Sequence, residues 1–343
     1  MDLQRILKLL TGVAVMIVML VIGMFTIVVL MCTQPQLFEV TAPPLPEDWS
    51  PRNIHTDLPK GKKGDEIRYG YLLIAESSLW MGPEALDENQ RYAGNNLACK
   101  NCHLQNGTQA GSASWVGVTN RFPQFRGREN KIGTIEDRIN GCMERSMNGS
   151  AIPVDSREMK AIVAYMEWLS EDVPEERVEE FKGFPKLKIP AIAADPVQGK
   201  VVYEAECQLC HGEDGQGIRL SDATKGYQYP PLWGADTYNH GAGMHRVLTA
   251  AEFIKGNMPF GQASLDNPKL TDEQAYHVAA YINSFDRPQK SEAEADFPDR
   301  KLKPVSTPYG PWADEFTAEQ HKYGPFQPIM AYYESTYGVK KFK

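Results

Sequence analysis

The apolar positions of this chain fall into three unlike patterns. From Leu9 to Met31 no charge interrupts a run of Leu, Val, Ile, Met and Phe, which would span roughly 35 Å as a helix and so cross a hydrocarbon core. Arg5 and Lys8 precede the run, which places the N-terminus in the cytoplasm by the positive-inside rule. The run is too long for the apolar region of a secretory signal, and no small-x-small cleavage site follows it. Residues 1–31 are therefore predicted to be a membrane anchor, and everything after them to lie outside the cytoplasm. Pro43-Pro44-Leu45-Pro46 and the polar residues around them make 32–63 a stiff spacer.

The second pattern occurs twice, over residues 64–190 and 191–290. Each copy opens with a helix-like run, Gly64 to Ser77 in the first and Gly199 to Ala205 in the second, and each closes with an amphipathic helix. Met159, Ile162, Val163, Met166 and Leu169 recur at helical spacing, with Asp155 and Glu158 placed as a capping pair. Ala275, Val278, Ala279, Ile282 and Phe285 repeat the spacing behind the start signal Thr271-Asp-Glu-Gln274. Pro174, Pro185 and Pro190 mark the linker between the copies. The third pattern, residues 291–343, is rich in Pro, Tyr and charge. Trp312, Phe316, Tyr323, Phe326, Tyr332 and Tyr333 are too many aromatics for a solvated tail, so an irregular C-terminal tail packed across both copies is predicted.

The candidate chemistry sits on the repeat. Cys99-Lys-Asn-Cys102-His103 and Cys207-Gln-Leu-Cys210-His211 are heme-attachment sequences, in which two thiols form thioethers and the adjacent His takes one axial position on the iron. A zinc site would place its His at a distance from the Cys pair, which neither sequence does. Helix, attachment sequence, long loop and closing helix is the plan of a small cytochrome c. The predicted fold is thus all-α, with two cytochrome c-like heme domains, an N-terminal transmembrane helix and two covalently bound heme c groups. Charge adds one exclusion: 36 Lys and Arg against 44 Asp and Glu give a net charge of −8, so no basic surface invites nucleic acid. Beyond the four anchoring cysteines only Cys32 and Cys142 remain, too few for a disulfide framework.

Each iron needs a second axial partner or an open position. Matching Ala164-Tyr165 to Ala280-Tyr281 superposes the closing helices and sets Cys142 on Met258. Met258-Pro259 resembles the methionine loop of a small cytochrome c, with His240, Met244 and His245 as rival ligands. At the same position of the first copy stands Cys142, with Met143 and Met147 as rivals. A thiolate lowers a heme's potential whereas Met raises it, so the first heme is where chemistry rather than electron relay is expected. The segment around Cys142 carries Arg121, Arg126, Arg128, Lys131, Arg138 and Arg145, interleaved with acids. It reads either as a salt-bridged surface or as an oxyanion pocket, to which Ser146 would add a hydroxyl.

These residues resemble a known family, the periplasmic diheme thiosulfate dehydrogenases, which interconvert thiosulfate and tetrathionate. The resemblance is carried by both attachment sequences, Arg138-Ile-Asn-Gly-Cys142-Met-Glu-Arg-Ser146-Met-Asn-Gly149, Asn257-Met258-Pro259, and the tail segments Pro308-Tyr-Gly-Pro-Trp-Ala-Asp314 and Gln320-His-Lys-Tyr-Gly-Pro-Phe326. It implies an active-site heme held by Cys99, Cys102 and His103 with Cys142 opposite, and a pocket for sulfur oxyanions at Arg128, Arg138 and Ser146. It implies a second heme, held by Cys207, Cys210 and His211 with Met258 opposite, that exchanges electrons with a cytochrome or another one-electron partner. Some members carry, just before the Met, a Lys able to swap onto the iron; here that position is Asn257. The anchor is a second departure and would hold the enzyme on the periplasmic side of the bacterial inner membrane. The alternative function is a membrane-anchored diheme electron carrier without its own substrate chemistry, for which Met or His on both hemes would be expected.

Overall fold

The computed structural model of the protein describes residues 3–34, 49–341 and 343. Its contacts divide the chain into a unit that ends at residue 50 and a unit that runs from residue 51 onward. The first unit holds helix α1 (Leu3–Thr33), whose apolar side chains are exposed. Its stretch Leu7–Thr33, 27 residues, is long and apolar enough to cross a membrane. The proline-rich part of the expected spacer lies outside the described residues.

The second unit contains the repeat. Helices α2 (Lys62–Ala75), α3 (Ile135–Met143) and α4 (Arg157–Trp168) build the first half, and α5 (Pro196–Glu206), α6 (Val247–Asn257) and α7 (Asp272–Ser284) the second. The opening helix of each half crosses its closing helix, α2 on α4 and α5 on α7. Both crossings depend on a glycine. A Cβ on Gly70 would lie 2.0 Å from the Ala161 carbonyl oxygen, and one on Gly199 would lie 2.0 Å from that of His277. Tyr165 and Tyr281 flank these contacts four residues further along, so the superposition read from the sequence is also a superposition of packing.

Local signals account for most helix boundaries. Thr271 and Gln274 form the expected capping box of α7. At α4 the cap is Ser156, not Asp155: its hydroxyl accepts from the Met159 N–H at 3.1 Å. Glu158 turns inward instead and accepts from Tyr69 and Gln90, at 3.0 and 3.1 Å. The loops carry two antiparallel ribbons that the all-α reading did not contain, β1 (Gln124–Arg126) with β2 (Lys131–Gly133) and β3 (Ile218–Arg219) with β4 (Tyr227–Tyr229). With so few residues per strand, period-two alternation has no room to show.

Two further expectations are corrected. The first folded region begins near residue 51 rather than 64, because Ile54 is buried in its core and Arg52 pairs with Glu171 and Asp172 at 2.8 and 2.6 Å. The tail is partly helical, with a short helix at Ala318–Tyr323 and α8 (Gln327–Tyr337). Ile329 and Tyr333, four residues apart on one face of α8, are buried in the core of the second half together with Val305 and Phe326. Asp296, near the start of the tail, pairs instead with Arg128 and Arg145 of the first half. The tail thus does pack across both domains.

The glycine crossing yields a test. Gly199→Ala should destabilise the folded protein by about 1–3 kcal/mol, because the new methyl meets backbone that cannot rotate away. Alanine's helix-propensity advantage, about 1 kcal/mol, would win only if the helices could separate freely. Thermal unfolding of the purified protein checks this: a lower Tm is expected, and a raised one would refute the close crossing.

Candidate active site

Beside the first attachment sequence lies a cavity of about 260 Å³. Cys99, Cys102, His103, Arg138, Cys142 and Ser146 all line it. Its remaining walls are largely apolar, with Ile74, Leu97, Trp115, Val118, Ile139 and Met147 among them. The His103 Nδ1 is engaged by the Ala113 carbonyl oxygen at 2.8 Å, and the ring packs against Trp115 with centroids 4.6 Å apart. That contact orients the imidazole and turns its other nitrogen, Nε2, toward Cys142. Cys142 comes from the last turn of α3 and faces His103 closely enough for the two side chains to interact. The donor set fits a heme c: two thiols at one edge, an oriented imidazole, and a sulfur opposite it in an apolar slot.

The sulfurs in the cavity differ electrostatically. Burial pushes the anchoring thiols up, Cys99 to about 11 and Cys102 to about 12. Burial also opposes a thiolate at Cys142, yet Arg138 and His103 more than offset it and bring the group down to about 6. The Arg138 guanidinium donates to the Cys142 sulfur at 2.7 Å, across one helical turn of α3. Such an anionic sulfur is suited to ligate iron and to act as a nucleophile.

The basic segment divides by partner. Arg126 pairs with Glu129 at 2.9 Å and Lys131 with Asp137 at 3.1 Å, which is the salt-bridged-surface reading. Arg128 does not line the cavity. It donates to Asp296 at 2.5 Å, to the Gly241 carbonyl at 3.0 Å and to the Tyr309 hydroxyl at 3.2 Å. Arg145 holds the other oxygen of Asp296 at 2.5 Å. Asp296 and Tyr238 escaped the sequence reading, since nothing in their spacing announces them. Tyr238 and Met244 come from the second half yet line the first cavity, and Met244, a rival ligand for the second heme, also packs against the apolar cluster of the second half.

At the second attachment sequence the same orientation recurs: His211 Nδ1 is engaged by the Pro230 carbonyl oxygen at 2.8 Å. Met258, at the end of α6, packs against the apolar cluster that Cys207 also flanks. His240 Nδ1 accepts from the Lys290 N–H at 2.9 Å, and His245 Nδ1 is engaged by the His240 carbonyl oxygen at 2.9 Å. Asn257 is buried, donating to the Gly111 and Phe253 carbonyls at 2.9 Å and accepting from Gln109 at 2.9 Å. It therefore ties the two halves together.

The chain matches known families in both halves. The family described as SoxA/TsdA, cytochrome c domain, matches residues 88–174, and the family described as cytochrome c matches residues 196–286. One attachment sequence falls inside each match, and the chain carries two covalently bound heme c groups. Thiosulfate dehydrogenase of Stutzerimonas stutzeri is 38% identical over 68% of this chain and 71% of its own length. That of Psychrobacter arcticus is 41% identical over 70% and 69%, and that of Allochromatium vinosum 40% identical over 70% and 84%. The solved thiosulfate dehydrogenase (TsdBA) of Marichromatium purpuratum, in its as-isolated form, is similar with a TM-score of 0.63 and 34% identity. That likeness covers 71% of this chain and 50% of the solved one.

The Asp296 contacts predict a pH dependence. Burial opposes ionisation of this carboxyl, but the Arg145 hydrogen bond and the Arg128 charge outweigh it and hold the group below its ordinary value. A carboxyl with a depressed folded pKa contributes stability that is present above the unfolded value, about 3.9, and lost as pH falls through the folded one. Asp296→Ala should cost about 3–5 kcal/mol at neutral pH by removing the carboxylate shared by the buried Arg145 and the half-buried Arg128. The variant should also lack this part of the wild-type acid sensitivity. Denaturant titrations at neutral and acid pH check both statements, and equal stability of the two proteins at neutral pH would contradict them.

Proposed function

Because the chain belongs to the thiosulfate dehydrogenase family of diheme cytochromes, we propose that it interconverts thiosulfate and tetrathionate in the cavity formed by Cys99, Cys102, His103 and Cys142. The observation that carries this reading is the 2.7 Å contact from Arg138 to the Cys142 sulfur inside that cavity. An electron carrier has no need of an anionic sulfur paired with a guanidinium at its heme.

When bound, the hemes supply one-electron acceptors and donors, the first at the reacting sulfur and the second toward an external partner. The chain's residues supply the rest. Bringing two dianions together costs about 2–4 kcal/mol for each unit-charge pair at close range in a partly solvated pocket, and Arg138 offsets part of that. The Ser146 hydroxyl lines the same cavity and is placed to donate to a sulfonate oxygen. Arg128, engaged by Asp296, acts indirectly by fixing the tail and the Gly241 backbone.

The Cys142 thiolate is the proposed nucleophile. Its sulfur bonds to the terminal sulfur of one thiosulfate as two electrons leave, giving Cys–S–S–SO3⁻. A second thiosulfate then attacks that terminal sulfur; the bond to Cys142 breaks, a new sulfur–sulfur bond forms, and tetrathionate departs with the thiolate restored. No proton is consumed or released. Tetrathionate reduction runs the same sequence backward.

Cys207, Cys210, His211 and Met258 would hold the second heme, which would supply electron exchange with a cytochrome or another one-electron carrier. The proposed boundaries are an anchor at 1–31, a spacer at 32–50, heme domains at 51–190 and 191–290, and a tail at 291–343. Because heme c is attached outside the cytoplasm, α1 is proposed to anchor the enzyme on the periplasmic side of the inner membrane.

Cys142→Gly should abolish thiosulfate oxidation with ferricyanide, and tetrathionate reduction with a reduced dye, while both hemes stay covalently attached. Arg138→Ala should raise KM roughly ten- to hundredfold, from the loss of a charge-assisted contact of about 1.5–3 kcal/mol, and should also lower turnover, because Cys142 loses the cation that favours its thiolate. A Cys142→Gly protein that forms tetrathionate at the wild-type rate would refute the mechanism.

A further inference from the structure

Two arginines line the first-heme cavity, Arg121 and Arg138, and they differ in what balances their charge. Arg138 is matched by the Cys142 sulfur at 2.7 Å. Arg121 has no such partner: its Nε is buried and makes no hydrogen bond among the described residues. Burial pushes the guanidinium below its ordinary value, the Glu179 carboxylate opposes that, and the Arg138 charge adds to it. A half-buried cation beside a second cation is costly, and an orphaned N–H adds the penalty of an unmade hydrogen bond. An anion held in this cavity would relieve both costs.

The anion must be present in the resting protein, since the cost is paid there. A substrate oxyanion compensates only while bound. Heme c carries two propionate carboxylates and is attached permanently through Cys99 and Cys102, so its carboxylates are always available. The walls of the cavity agree with this division. Cys142, Arg138 and Ser146 belong to α3 and the turn after it. Arg121 closes a separate turn, Thr119–Arg121, which follows Trp115 and Val118 of the wall packed behind His103.

We propose that Arg121 is a heme-carboxylate anchor: its buried Nε–H and guanidinium charge hold a propionate of the first heme, and so set that heme's potential without touching substrate. The inference rests on heme attachment in this cavity and not on the thiosulfate chemistry. A cation near the heme favours the reduced iron, which carries one positive charge fewer.

The test is a redox titration of the full-length holoprotein without thiosulfate, comparing wild type, Arg121→Gln and Arg121→Lys, with mass spectrometry confirming two hemes in each. Arg121→Gln should lower the midpoint potential of the first heme and leave the second unchanged, while Arg121→Lys restores most of the shift. The KM for thiosulfate should stay within about twofold of wild type in both. A raised KM with unshifted potentials would make Arg121 a substrate residue and overturn the proposal, as would a shift confined to the second heme or no change at all. Should Arg121→Gln fail to retain its hemes, resonance Raman spectroscopy of Arg121→Lys decides. The propionate bending band of the first heme should move as an ammonium replaces the Nε–H contact, and an unmoved band would overturn the assignment.

Discussion

Burial drives a thiol toward its neutral form, and the end of a helix does the same, because the exposed carbonyls of the last turn repel negative charge. Cys142 suffers both, being half-buried in the cavity and placed in the last turn of α3. The Arg138 guanidinium one turn earlier reverses the balance at a distance of 2.7 Å, with His103 contributing from across the cavity. The rest of the first domain follows from keeping this pair in place. The capping box of Thr134 and Asp137 fixes where α3 begins, and so the rotation at which Arg138 and Cys142 enter the cavity. The neighbouring side chains Ile139 and Met143 on the same helix are buried against the core.

The same constraint explains the tail. Cations cluster beside the thiolate, and those not facing the cavity need carboxylates. Asp296 serves two of them, Arg128 and Arg145, and thereby pins a segment of the chain from beyond the second heme domain onto the first. The junction is completed by neutral contacts. The Asn239 N–H donates to the Arg145 carbonyl at 3.1 Å, the Asp236 carboxylate accepts from the Asn96 N–H at 2.8 Å, and Asn257 spans to Gln109 and Gly111. With Tyr238 and Met244 of the second half lining the first cavity, the two heme domains are held as neighbours. That suits a reaction whose electrons must cross from one heme to the other.

Much of this was legible in the chain because the signals are local. The attachment sequences, the spacing of Met159 to Leu169 and of Ala275 to Phe285, and the capping box of Thr271 each depend on residues within one or two helical turns. Arg138 was singled out from its basic segment only through the family resemblance, although its position four residues before Cys142 on α3 is what puts the two on one face. The setting of Arg128 was not legible, because its partner Asp296 lies 168 positions away and only the fold decides that they meet. The early start of the first domain rested on Ile54 and Leu58, two isolated apolar residues in a polar stretch, and on Arg52, whose partners lie more than a hundred positions away. Helix α8 was hidden among prolines, although Pro328 stands at its first turn, where a missing N–H costs little.

The account turns on Cys142 being the atom that bonds to substrate sulfur. Its most direct test is mass spectrometry of the holoprotein quenched during oxidation of limiting thiosulfate, with the Cys142 peptide isolated under non-reducing conditions. The account predicts a thiosulfate-derived adduct on Cys142 that forms only when an electron acceptor is present and disappears when excess thiosulfate is added. Turnover that continues with Cys142 unmodified at every quench time would contradict it.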